Sequence, residues 1–117
     1  YPVSITENEV TTQLTKALFP ESEVTVIRRL PSTLFPKDER NVQKLTKVYE
    51  QITGLDGTPV TTTGATYARF MPNIVAFGPS FPGQKGIAHN QDEYMDEKDL
   101  LLNLEIYMQA MIALTEA

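Results

Sequence analysis

Residues 61–94 read TTTGATYARFMPNIVAFGPSFPGQKGIAHNQDEY, and this stretch decides how the rest of the chain is read. It holds four of the six glycines, three of the eight prolines and the sole histidine, His89. Pro59–Thr63 is a short β-branched run, which suits a strand, and Gly64-Ala65-Thr66 ends it. Ile74–Phe77, IVAF, is a continuous apolar run between Asn73 and Gly78, the pattern of a strand covered on both faces. Gly78–Ala88 has no periodicity and reads as loop.

Helical patterns flank the stretch. Upstream, Asp38 is the expected N-cap of a helix whose buried stripe is Val42, Leu45, Val48, Tyr49 and Ile52, with Gly54 suited to the C-terminal cap. Downstream, Asp96 is the expected N-cap of a last helix, with Asp99 favouring its positive end. Leu100, Leu101, Leu104, Tyr107, Met108, Met111 and Ile112 form its wide apolar stripe, which predicts deep packing.

Further back, Val3 and Ile5 alternate with polar residues as in a strand. Thr6 and Glu9 have the spacing of a capping box, ahead of a stripe of Val10, Leu14, Ala17 and Leu18 that Pro20 stops. Glu23–Leu30, EVTVIRRL, reads as a strand. Pro31 and Pro36 bracket an extended linker, the best internal boundary. The predicted order is β-α-β, linker, α-β-β-α, an α+β or α/β arrangement. Its short strands and few helices make a poor core by themselves, so an unpaired strand edge would seek a partner.

Composition removes several functions. The 117 residues are 41% hydrophobic and 21% charged, ordinary for a globular domain. A net charge of −5 and the lack of a basic cluster argue against nucleic acid as a partner. No apolar run approaches the roughly 18 residues of a membrane span, and no signal peptide is visible at YPVSITENE. With no cysteine there is no disulfide or thiolate site, which fits a cytoplasmic location. Ser80 has no imidazole beyond His89 to activate it, and Gly78–Gly83 lacks the ending of a phosphate loop.

His89 is the candidate for chemistry. A neutral imidazole at a loop end can ligate a divalent cation, with Asp92 or Glu93 as a further ligand or holding the second ring N–H. Zinc takes about four ligands, so this pattern alone leaves open a solvated loop histidine. Gly64 and Ala65 offer backbone N–H groups able to hold a carboxylate or oxyanion, and an ordinary strand exit fits them equally. Arg69 can pair with a carboxylate or form a surface ion pair, and Tyr67 and Phe77 are expected in the core.

GATYARF, VAFGPSFPG and HNQDEYM, in that order before an amphipathic helix, resemble the C-terminal end of the bacterial PepV-type dipeptidases. These belong to the co-catalytic zinc metallopeptidases, with carnosinases, aminoacylases and glutamate carboxypeptidases as relatives. The resemblance is clearest over residues 59–114 and weaker upstream. It implies a helix-flanked sheet carrying the catalytic site, with an inserted α+β lid. It also implies two Zn²⁺ ions per site (Mn²⁺ or Co²⁺ being possible), a water activated between them and a dipeptide substrate.

On this resemblance His89 is a metal ligand, Gly64 and Ala65 line the substrate, and Arg69 matches an arginine of the same motif. Residues 1–35 correspond to the tail of the lid, a dimerisation-type domain, and residues 36–117 to the last part of the catalytic domain. The family's H-x-D motif, separate Asp, Glu-Glu pair and lid histidine have no counterpart here. With the start at Tyr1-Pro2-Val3, this predicts a fragment that is inactive alone, completed by the rest of the catalytic domain and prone to self-association. The competing reading is a stand-alone small α+β interaction module in which His89 is a plain loop residue.

Overall fold

Helices account for the regular structure among the described residues of this chain. The computed structural model describes residues 1–30, 32–62, 64–78, 80–84 and 87–116. Among them lie α1 (Glu7–Ala17), α2 (Arg40–Thr53), a single 3-10 turn (Tyr67–Phe70) and α3 (Glu97–Thr115). None of these helices is long and apolar enough to cross a membrane. The chain divides into two compact units: residues 1–34 with 62–74, and residues 35–61 with 75–117.

In the first unit, α1 starts as its capping box dictates. Thr6 Oγ accepts the Glu9 N–H at 3.2 Å, and Glu9 Oε2 accepts the Thr6 N–H at 2.7 Å. The stripe expected on this helix is not covered, however: Val10 is half-buried, and Leu14, Ala17 and Leu18 are exposed. No described residue of this unit is buried. What ties it together is polar and peripheral. Arg29 Nε meets Glu7 Oε1 at 2.8 Å, the Arg28 guanidinium lies 5.2 Å over the Phe70 ring, and Arg69 donates to the Leu30 carbonyl at 2.8 Å.

The core belongs to the second unit. Leu45 and Val48 of α2 pack against Ile106 and Ala110 of α3, with Tyr49, Ile52, Phe77, Phe81, Leu102 and Ala113 around them. The α2 stripe therefore forms as its spacing predicts. Its N-cap is Glu39 rather than Asp38. The Glu39 N–H is held by the Pro36 carbonyl, and its longer carboxylate curls onto the N–H groups of Asn41 and Val42 at 2.9 and 3.0 Å. Gly54 closes α2 at φ +67°, where a side chain would be strained. Lys44 Nζ donates to the Ala113 and Glu116 carbonyls at 2.8 and 2.6 Å, so the beginning of α2 caps the end of α3.

Helix α3 corrects two expectations. Asp96 stands at the N-cap but its side chain makes no capping bond; its carboxylate lies 3.8 Å from Lys98 Nζ. The buried face is Asn103, Ile106 and Ala110, whereas Leu100, Leu101, Leu104, Met108, Met111 and Ile112 are exposed and Tyr107 is half-buried. The helix is apolar almost all round, so periodicity alone does not say which side its neighbour takes.

The sheet is the other correction. Residues 23–30, 59–62 and 74–77, expected as strands, run as irregular chain, and no strand occurs among the described residues. Thr63, the end of one expected strand, lies outside them. A β-branched run favours extended backbone, but its N–H and C=O groups point sideways and need a second strand alongside. At Val3–Ile5 the chain turns instead, the Ile5 N–H donating to the Pro2 carbonyl at 3.1 Å.

Candidate functional site

Loop geometry after Phe77 is built by α3. The Phe77 ring meets Tyr107 edge-on at 6.1 Å, and the Tyr107 hydroxyl donates to the Phe77 carbonyl at 3.4 Å. Gly78 follows at φ +72°, directly under that side chain: a Cβ there would collide with the Tyr107 hydroxyl and lie 3.1 Å from Cζ. The loop then folds back over the core. Phe81 stacks on Tyr49 at 6.4 Å, and its N–H donates to Gln84 Oε1 at 2.9 Å. Gln84 Nε2 in turn donates to the Asp99 carboxylate in the first turn of α3. One glutamine thus ties the loop both to itself and to the helix.

His89 sits between this anchored loop and α3. It is exposed, and its backbone is left-handed at φ +64°, as is that of Asp92 at φ +57°. Side chains rarely adopt this region, and holding a histidine there costs on the order of 1 kcal/mol. Glu93 helps to hold it: its Oε2 accepts the His89 N–H at 3.1 Å, closing a turn on the backbone. The Asn90 N–H donates to the Ile87 carbonyl at 3.4 Å. Glu93 therefore acts here on the backbone of His89.

The remaining candidates lie in the first unit. Gly64 and Ala65 are exposed, and the Gly64 N–H donates to Thr62 Oγ at 3.1 Å. Thr66 Oγ accepts from the Ala68 N–H at 3.2 Å and begins the 3-10 turn that carries Arg69. Arg69 is half-buried and reaches the Leu30 carbonyl. Tyr67, expected in the core, is 86% exposed, while Phe77 packs against the core. Tyr67 lies in the unit that holds no buried residue among those described, whereas Phe77 lies in the unit that holds the core.

Among the described residues no three His, Asp or Glu side chains come together as a metal site. His89 with its acidic neighbours does not make a complete ligand set among the described residues. Two anchoring residues, Lys44 and Gln84, and one buried polar residue, Asn103, were not singled out from the sequence. Asn103 carried a signal, as a polar residue inside the apolar run LLLNLEI, and it is 4% exposed. Lys44 and Gln84 carried none, since each acts on a partner distant in sequence.

These features can be set beside known proteins. The profile of peptidase family M20/M25/M40 matches residues 3–113, and the chain belongs to that family. A Bacillus subtilis (strain 168) protein described as "Putative dipeptidase YtjP" is 42% identical over 79 residues, 68% of this chain and 17% of that protein. A Beta-Ala-Xaa dipeptidase of Lactobacillus delbrueckii subsp. lactis is 38% identical over 81 residues, 69% of this chain and 17% of that protein. The chain thus spans less than a fifth of the length of these relatives. No solved structure matches it significantly.

Proposed function

We propose that this chain is the C-terminal portion of a metal-dependent dipeptidase, inactive alone, with His89 as one of several metal ligands. Residues 1–35 belong to the lid and residues 36–117 to the catalytic domain. The irregular segments 23–30, 59–62 and 74–77 become strands when the rest of the domain lies beside them. Gly64, Ala65 and Arg69 form the substrate rim. The observation that carries the reading is the family match over residues 3–113, which includes an exposed, conformationally strained His89. Strain of this kind at an accessible imidazole is common where a side chain must be aimed.

Bound divalent ions, zinc in the first instance and manganese or cobalt as alternatives, supply water activation and carbonyl polarisation in such enzymes. This chain contributes an imidazole held by a turn that Glu93 closes. The remaining ligands come from elsewhere in a longer polypeptide. The substrate is a dipeptide, and one starting with β-alanine is the first to try, given the Lactobacillus relative's name.

The test is a chimera in which this chain replaces the matching segment of the Bacillus subtilis relative. The expected chimera hydrolyses dipeptides and loses activity on chelation. His89→Ala lowers both bound metal and kcat/KM, the latter on the order of 100-fold or more. A His89→Ala chimera with full metal content and full activity would sink the assignment.

A further inference from the structure

Helix α3 has two apolar faces, and only one is used within this chain. Ile106 and Ala110 face α2 in the core. On the opposite side Leu100, Leu101, Leu104, Met108, Met111 and Ile112 make a contiguous arc, each between 46% and 61% exposed. At 100° per residue these six positions span about a third of the helix circumference. No charged residue interrupts the arc; Glu105 and Gln109 lie between it and the buried face. An uncharged aliphatic and methionine surface of this extent is the composition of a domain interior, not of a water-facing helix side.

We infer that this arc is an internal seam, covered by an aliphatic surface from the remainder of the same peptidase polypeptide. The inference rests on the reading of the chain as part of a longer dipeptidase. Two observations select this occupant. The chain covers 17% of each of the two relatives above, so most of such a protein lies outside the matched segment and can supply the cover. The arc also adjoins, through the half-buried Tyr107, a face already in the core, so covering it buries α3 on two sides. A charged or polar partner does not fit, because the arc offers it no complementary group.

The chain has no cysteine, so a single introduced thiol reports on the arc. Leu104→Cys is compared in the 117-residue chain and in the chimera, reading the labelled peptide by mass. Lys98→Cys, whose native side chain is 78% exposed, is the accessible control. The thiol at position 104 should label fast in the chain alone and on the order of 100-fold more slowly in the chimera, where reaction waits on local opening. Equal rates at position 104 in both would overturn the inference, whether or not the chimera hydrolyses dipeptides. Protection that still deepens with concentration in the chimera would overturn it too, since a second copy would then be the cover.

A second measurement does not depend on the chimera folding. Leu104→Lys with Met108→Lys in the 117-residue chain should leave helix content unchanged and lower the binding of a hydrophobic dye. Loss of helix would show that the arc is already packed within the chain.

Discussion

At Gly78 a single missing Cβ permits a close approach between the loop and α3. The residue combines φ +72° with a Tyr107 side chain lying over it, so alanine faces both backbone strain and collision. Gly78→Ala should destabilise the second unit by about 1–3 kcal/mol, read from denaturant midpoints at unchanged slope. Pairing it with Tyr107→Phe, which removes the colliding hydroxyl, should recover part of that loss. Gly54→Ala meets only open space at φ +67°, so strain alone should cost it about 1 kcal/mol.

Glu9 gives a pH-dependent counterpart. The Thr6 backbone N–H, and then the Thr6 hydroxyl, hold its carboxyl below the ordinary value of 4.5. The folded form therefore binds its proton less readily than the unfolded form. The contribution is fully present above 4.5 and is lost as pH falls through the depressed folded value. Acid titration followed by circular dichroism should show α1 fraying below pH 4.5, and Glu9→Gln should flatten that part of the curve.

Among the elements, α2 and α3 stabilise each other through a small apolar seam and one terminal cap. Ile106 is 2% exposed and Leu104 is 55% exposed on the same helix. Ile106→Ala should cost about 2–5 kcal/mol, while Leu104→Ala in this chain should stay within about 0.5 kcal/mol. Equal losses in thermal unfolding would contradict the described packing. Lys44→Met keeps much of the stem and removes the ammonium from the Ala113 and Glu116 carbonyls. It should fray the last turn of α3 and cost about 1 kcal/mol, visible as faster amide exchange at the C-terminus of α3. These contacts explain why the α2 stripe was legible in the sequence and the α3 face was not. Helix α2 alternates apolar and charged residues with a 3.6 period, so its spacing leaves one choice of face. Helix α3 offers apolar residues on every side, so the choice falls to whatever lies next to it.

Taken as a whole, the molecule concentrates its burial in one unit. Residues 1–34 and 62–74 contain no buried side chain among those described, while Val42, Leu45, Val48, Ile106 and Ala110 are all in the other unit. Hydrogen exchange should accordingly show α1 amides near the unprotected limit and the centres of α2 and α3 protected together. Comparable protection in α1 and α2 would contradict this division. The stretch 61–94 is itself divided, 62–74 going with the first unit and 75–94 with the second. Its candidates are divided too: Gly64, Ala65 and Arg69 fall on one side and His89 on the other.

The sequence by itself determined the three helices, the capping box at Thr6, the left-handed stop at Gly54 and the motif order that places the chain among the M20 peptidases. Each depends on residues close together in the chain, or on a pattern compared directly with relatives. Only the tertiary structure decided that α3 turns Ile106 inward and Leu104 outward. It alone showed Lys44 and Gln84 as anchors, and Glu93 binding the His89 backbone. The expected strands form no ladder here for the same reason. Extended backbone is a local preference, but a sheet exists only when a second strand supplies its hydrogen bonds.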